Sequence, residues 1–217
     1  MTRRILVVNP NSNREVTAGL DRALEALRLP GGPRIDCATL AEGPYGIESE
    51  ADVAAVATPL ARLVTAEAAD AYIIACYSDP GLAVCREATA KPVLGINECA
   101  VLTALARADR FGVVAILDRS IPRHLRYLRQ MGLSQRLAGE RALNLRVHEL
   151  ADETVTWDRL VATARALVQE DGAGVVIMGC AGMARYRRRL EDAVGAPVVD
   201  PTQAAVTMAL GAVLLAA

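Results

Sequence analysis

Short runs of aliphatic and β-branched residues alternate along the chain with longer stretches whose apolar positions recur every three or four residues. That alternation predicts an α/β protein with largely parallel sheets. A strand is expected over 4–8, ending at the turn-forming sequence Asn9-Pro10-Asn11-Ser12-Asn13. Next comes a helix over 14–27, with Val16, Leu20, Ala23, Leu24 and Leu27 on one face. Further strands are expected over 35–40, 71–76 and 92–96, and helices over 50–68 and 100–108. Asp79-Pro80, directly after the third strand, reads as a helix start, with Asp as N-cap and Pro at the first position.

The second half runs through the same order. Strands are expected over 111–117, 143–150, 175–180 and 197–200, and helices over 124–131, 157–170 and 183–194; the apolar tail 204–217 reads as a buried terminal helix. "YIIAC" (72–76) and "VIMGC" (176–180) are both buried-type strands ending in cysteine. "PVLGI" and "PVVDP" come after one helix in each half, Pro92 lying 16 residues beyond Cys76 and Pro197 lying 17 beyond Cys180. The chain therefore reads as two pseudo-symmetric α/β domains, each a mainly parallel four-stranded sheet flanked by helices. The domains are expected at 1–98 and 99–201, with the helix over 202–217 packing back onto the first.

Composition narrows the function classes. Net charge is −1 and aromatics make up 3% of the 217 residues, so neither an electrostatic footprint for nucleic acid or anionic membrane nor a base-stacking platform is present. The 204–217 tail is too short to span a bilayer, and the opening "MTRRILVVNPNSN" lacks a small-residue cleavage site. A cytoplasmic location is expected, with no membrane or nucleic-acid partner. The five cysteines, Cys37, Cys76, Cys85, Cys99 and Cys180, contain no C-x-x-C pair, so free thiols are expected instead of a disulfide framework or a zinc site. His124 and His148 lie in different segments with no acidic partner at ligand spacing, and no metal is expected. Neither a nucleotide-binding glycine fingerprint nor a G-x-S-x-G serine motif occurs. Arg185-Tyr186-Arg187-Arg188-Arg189 reads first as a solvated helix face and only second as a subunit or nucleic-acid contact.

A lone cysteine is usually a small buried hydrophobe, the reading for Cys37, Cys85 and Cys99. Cys76 and Cys180 differ because the repeat sets both at carboxyl ends of equivalent strands, where ligands bind in open parallel sheets. A helix N-terminus just beyond each would favour thiolate. Facing each other across an interdomain cleft, two such groups suit racemisation, one removing a proton and the other supplying one to the opposite face. The enolate so formed needs oxyanion donors, for which the backbone N–H groups of Tyr77, Ser78, Asp79, Ala181 and Gly182 are candidates. Side chains of Asn9, Asn11, Ser78 and the Arg119-Ser120 turn could add hydrogen bonds, although Asn9 and Asn11 equally suit plain turn chemistry.

These residues resemble the aspartate/glutamate racemase superfamily, and within it the hydantoin racemase group that includes allantoin racemase. The resemblance runs nearly the full length through "ILVVNPNSN", "GPYGIESEAD" (43–52), "ACYSDPGL" (75–82), "PVLGINECA" (92–100), "RFGVVAILDRS" (110–120) and "MGCAGMA" (178–184). It implies a two-domain α/β fold, cofactor-free and metal-free two-thiol chemistry, and a homo-oligomer. It maps Cys76 and Cys180 onto the two catalytic cysteines, and Asn9, Ile47, Ser78-Asp79 and Arg119-Ser120 onto substrate-contacting positions. Arylmalonate decarboxylase, of the same superfamily, keeps only the second cysteine, whereas this chain has both. The expectation is interconversion of D and L 5-substituted hydantoins, allantoin included. Its rivals are an aspartate- or glutamate-type racemase, a related cis-trans isomerase or decarboxylase, and a non-catalytic two-lobed small-molecule-binding protein.

Overall fold

The computed structural model describes residues 3–216 and divides the chain into two units. The first runs to Cys99 and takes in the chain from Thr202 onward; the second is Ala100–Pro201.

The first unit is built on a four-stranded parallel sheet of β1 (Arg4–Asn9), β2 (Arg34–Thr39), β3 (Ala71–Ile74) and β4 (Val93–Gly95), in the order β2-β1-β3-β4. Its inner strands are continuous apolar runs because helices cover both faces of a parallel sheet. Helix α1 (Arg14–Ala23) is capped by Asn13, whose side chain accepts from Glu15 N. Helix α2 (Glu50–Ala66) starts with a capping box in which Ser49 and Asp52 satisfy each other's backbone N–H groups. On one face Val56, Leu60 and Val64 of α2, with Leu82 and Cys85 of α3 (Leu82–Ala88), close over Leu6, Val8, Tyr72 and Ile74. After β4 the chain enters α4 (Ile96–Leu105), which crosses the unit boundary. The final helix, α8 (Pro201–Leu215), is tied to this unit by Gln203 Nε2 donating to Ala23 O at 2.9 Å and by Arg3 donating to the Val213 carbonyl.

The second unit repeats the plan with β5 (Phe111–Ala115), β6 (Leu137–Ala142), β7 (Val175–Met178) and β8 (Val198–Val199), in the parallel order β6-β5-β7-β8. Helices α5 (Ile121–Gln130), α6 (Glu153–Gln169) and α7 (Arg187–Val194) complete it. Leu160, Ala164 and Leu167 of α6 pack with Val114, Val176, Met178 and Leu190.

The repeat extends to single hydrogen bonds. Asp70 N donates to Arg4 O as Gly174 N does to Arg110 O, Tyr72 N to Pro92 O as Val176 N to Pro197 O, and Ala75 N to Val8 O as Gly179 N to Val114 O. Val8 therefore corresponds to Val114, Tyr72 to Val176 and Cys76 to Cys180.

The second strand of the second half differs from expectation. It lies at Leu137–Ala142, not over 143–150. As an edge strand with all six positions half-buried, it carries no alternation to read. Leu143, Leu145 and Leu150 are instead loop and 3-10-turn residues buried in the unit's core.

Candidate active site

Cys76 and Cys180 stand two residues beyond the ends of β3 and β7, and both are half-buried. Each borders its own unit's apolar core. The Cys76 carbonyl accepts from Asp79 N at 2.9 Å, and the Cys180 carbonyl accepts from Met183 N at 3.2 Å. Gly179 is required beside Cys180, since a Cβ there would lie 2.7 Å from the Val114 carbonyl oxygen.

The chain beyond Cys76 corrects one expectation. Asp79-Pro80 does not start a helix: α3 begins at Leu82, after Gly81 in the left-handed conformation (φ 67°). A Cβ at Gly81 would also meet Ala57 Cα at 2.8 Å. Cys76 is thus outside the first turn of α3, where the helix dipole acts. Cys180, by contrast, immediately precedes a 3-10 turn, Ala181–Tyr186, that leads into α7. The other three thiols are held neutral. Burial pushes Cys37 up to about 12, Cys85 to about 11 and Cys99 to about 12.

The remaining site residues divide by what their side chains already do. The Asn9 amide is fully buried and fully used: its nitrogen donates to Asn11 Oδ1 at 3.0 Å, Asn13 O at 3.1 Å and Thr17 Oγ1 at 3.0 Å, and its oxygen accepts from Asn11 N at 3.2 Å. It stitches the loop after β1. Ile47 is buried in the first unit's core. The Asp79 carboxylate accepts from Asn97 N at 3.0 Å and Glu98 N at 2.9 Å, in the first turn of α4. Tyr77 is buried and Ser78 half-buried; Ala181 is buried and Gly182 half-buried, its missing Cβ leaving room near Leu150 and Cys180 Sγ. In the 3-10 turn Asp118–Ser120, Arg119 is exposed and Ser120 is buried with no hydrogen-bond partner for its Oγ. That hydroxyl is an open donor and acceptor at the carboxyl end of the second sheet.

Several buried polar residues have no clear mark in the sequence. Asn97 and Thr202, the second residues of α4 and α8, each bury a side-chain oxygen without a partner. The internal repeat is the signal that could have found them, since Val93 and Val198 share a register. His124 does have an acidic partner: its Nδ1 lies 2.5 Å from Glu140 Oε1, brought in by β6, with both side chains buried. Among the described residues, no group of three His, Cys, Asp or Glu side chains could hold a metal ion, and no helix is long and apolar enough to cross a membrane. Three of the four arginines in the run have partners within their unit, and Arg188 is exposed. Arg185 and Arg189 lie over the Tyr186 and Trp157 rings, Arg189 pairs with Glu153, and Arg187 pairs with Glu191.

A concave surface at the amino ends of β1–β4 is lined by Arg3, Arg4, Arg28, Arg34 and Lys91. Its charge is answered locally by Asp21, Glu25, Asp36, Glu67 and Asp70. Cys76 and Cys180 are not among its lining residues.

Comparison with known proteins places the chain in a family. The family model for Asp/Glu/Hydantoin racemase matches residues 5–209. A hydantoin racemase from Paenarthrobacter aurescens is 39% identical, over 98% of this chain and 92% of its own. The structure of allantoin racemase from Klebsiella pneumoniae superposes with a TM-score of 0.94 at 32% identity, covering 99% of this chain and 89% of that one. That of allantoin racemase from Pseudomonas fluorescens gives 0.93 at 34% identity, with 98% and 92% covered. The chain belongs to the Asp/Glu/Hydantoin racemase family and is a racemase-type enzyme.

Proposed function

We propose that this enzyme interconverts the D and L forms of 5-substituted hydantoins, allantoin among them, by cofactor-free proton transfer at C5 between Cys76 and Cys180. The observation that carries the reading is the placement of two half-buried thiols at the same offset from the same strand of two like-ordered sheets. The names of its relatives, hydantoin racemase and allantoin racemase, supply the substrate class.

The C5 proton is acidified by the adjacent ring carbonyl. One cysteine, as thiolate, takes it: the C–H bond breaks, an S–H bond forms, and the electron pair passes to the carbonyl oxygen as an enolate. The other cysteine gives its proton to the opposite face as the carbonyl re-forms, and proton exchange of the two thiols with water, or a turnover of the opposite enantiomer, restores the first state. Nothing is oxidised or reduced. Backbone N–H groups of the 3-10 turn after Cys180 and the buried Ser120 hydroxyl are suited to hold the oxyanion. The reading also takes the enzyme to be a homo-oligomer in the reducing cytoplasm, where free thiols persist.

Chiral chromatography with allantoin, a 5-alkyl hydantoin, aspartate and glutamate tests the substrate class, and Cys76→Ala and Cys180→Ala test the mechanism. Hydantoins should racemise and the amino acids should not, and each variant should lose racemisation. Near-wild-type interconversion by either variant would refute the two-base mechanism; preference for aspartate or glutamate would refute the substrate class.

A further inference from the structure

Asp79 lies three residues beyond Cys76, with a buried side chain and a positive φ of 42° that is uncommon for any residue but glycine. Its two oxygens accept from the Asn97 and Glu98 N–H groups, joining the loop after β3 to the start of α4. The carboxylate stands where a side chain on Gly95 would be, because a Cβ built there falls 2.3 Å from Asp79 Cγ.

The second unit places its carboxylate at the other of the two positions. Ile74 pairs with Gly95, and the register that joins Val176 to Val198 and Ile177 to Val199 sets Asp200 opposite Met178, the counterpart of Ile74. Gly95 therefore corresponds to Asp200, and Asp79 to Met183. In one unit the loop carries the carboxylate and the strand end is glycine. In the other the loop carries a buried Met183 and the strand end a buried Asp200. Between these two positions the units have exchanged a carboxylate.

We propose that Asp79 is a positioning residue for Cys76, holding the loop beyond it by tying that loop to the first turn of α4. The role in catalysis rests on the reading of Cys76 as an acid–base group. The alternative is a helix cap with no effect on the cysteine. Glu98 on the same turn of α4 and Arg86 of α3 are the charged groups that bear on the carboxylate, and Cys99 of α4 is a neutral thiol beside it. Burial pushes Asp79 up to about 7, so the strength of the tie changes near neutral pH.

The test uses the full-length enzyme and three variants: Asp79→Asn, Asp79→Ala and Gly95→Asp. Hydrogen exchange by mass spectrometry should rise at least about tenfold over 76–82 in Asp79→Ala and stay unchanged over 180–186. Iodoacetamide should modify Cys76 at least about fivefold faster than in the wild type, with Cys180 unaffected. With a hydantoin substrate, kcat should fall while KM stays within about twofold. Gly95→Asp should likewise raise exchange and Cys76 labelling, because a side chain there would collide with the Asp79 carboxylate. Unchanged exchange over 76–82 and unchanged Cys76 labelling in Asp79→Ala would overturn the proposal. If Asp79→Ala does not fold, Asp79→Asn, which keeps an acceptor oxygen, carries the same readouts at smaller amplitude. Exchange and labelling need no substrate, so they can succeed even if no hydantoin is racemised, and the two readings fail separately.

Discussion

Stability between pH 4 and pH 7 should fall as pH rises, and Asp79 is the reason. Its carboxyl is buried, and burial is the largest influence on it. Donation from Glu98 N and Asn97 N and the charge of Arg86 pull it down, but not far enough, and the Glu98 charge pushes it further up. It moves from an ordinary 3.8 to about 7. The folded chain thus holds a proton that the unfolded chain releases near 3.8. A group whose folded value is raised contributes stability that is complete below the unfolded value and is lost as pH rises through the folded one. At one proton the slope is about −1.4 kcal/mol per pH unit, and over the whole window the loss is about 4 kcal/mol. Urea unfolding followed by circular dichroism, in half-unit steps from pH 5 to 8 at constant ionic strength, measures it against Asp79→Asn, which cannot ionise. The stability difference, wild type minus variant, should fall by about 1.4 kcal/mol per unit up to about pH 7 and then flatten. Parallel curves, or a wild type that gains on the variant with rising pH, would refute the reasoning. The latter would show that the N–H groups of α4 outweigh desolvation.

Other buried groups give two more measurable outcomes. Glu140→Ala removes the buried carboxylate that lies 2.5 Å from the His124 ring and should cost about 1–3 kcal/mol in chemical denaturation, while replacing both residues by leucine should recover most of that loss. At pH 8 iodoacetamide should leave Cys85 and Cys99 unmodified in the folded enzyme, because thiols near 11 and 12 are only about one part in a thousand and one in ten thousand thiolate; peptide mass spectrometry before and after urea reads this directly.

The strands at the centres of the two sheets were legible because burial on both faces leaves continuous apolar runs, as in Ile5–Val8 and Val175–Met178. The edge strand β6 was not. Its Leu-Ala-Gly-Glu-Arg-Ala sequence holds charges on a half-buried ribbon, while the stronger apolar pattern just after it serves a loop. The cysteine positions could be read because a strand end is a fixed point on the backbone, and two of them matched. The loops beyond could not, since their roles depend on partners distant in sequence. Asp79 reads locally as an N-cap for the next helix, yet its acceptors are used 18 and 19 residues on. His124 reads as a lone histidine until β6 delivers Glu140. Asn9, a candidate for substrate, spends its amide on its own loop, as turn chemistry alone would have it.

What the repeat preserves is a set of places. The pairing of β1 with β3 matches that of β5 with β7, and both thiols keep their offset, while the polar residues nearby are distributed differently and β5–β6 carries a register shift that β1–β2 lacks. Asn9, with its network of amides, corresponds to Ala115; Asp79 corresponds to Met183, and Gly95 to Asp200. The first half packs Asp79 against Gly95, and the second carries Met183 and Asp200 at the corresponding positions. Under the proposed chemistry this is the pattern to expect. The two thiols must do equivalent work on one carbon, so their backbone supports stay alike. The ring and substituent attached to that carbon present different groups in different directions, so the loops around the thiols have no reason to match.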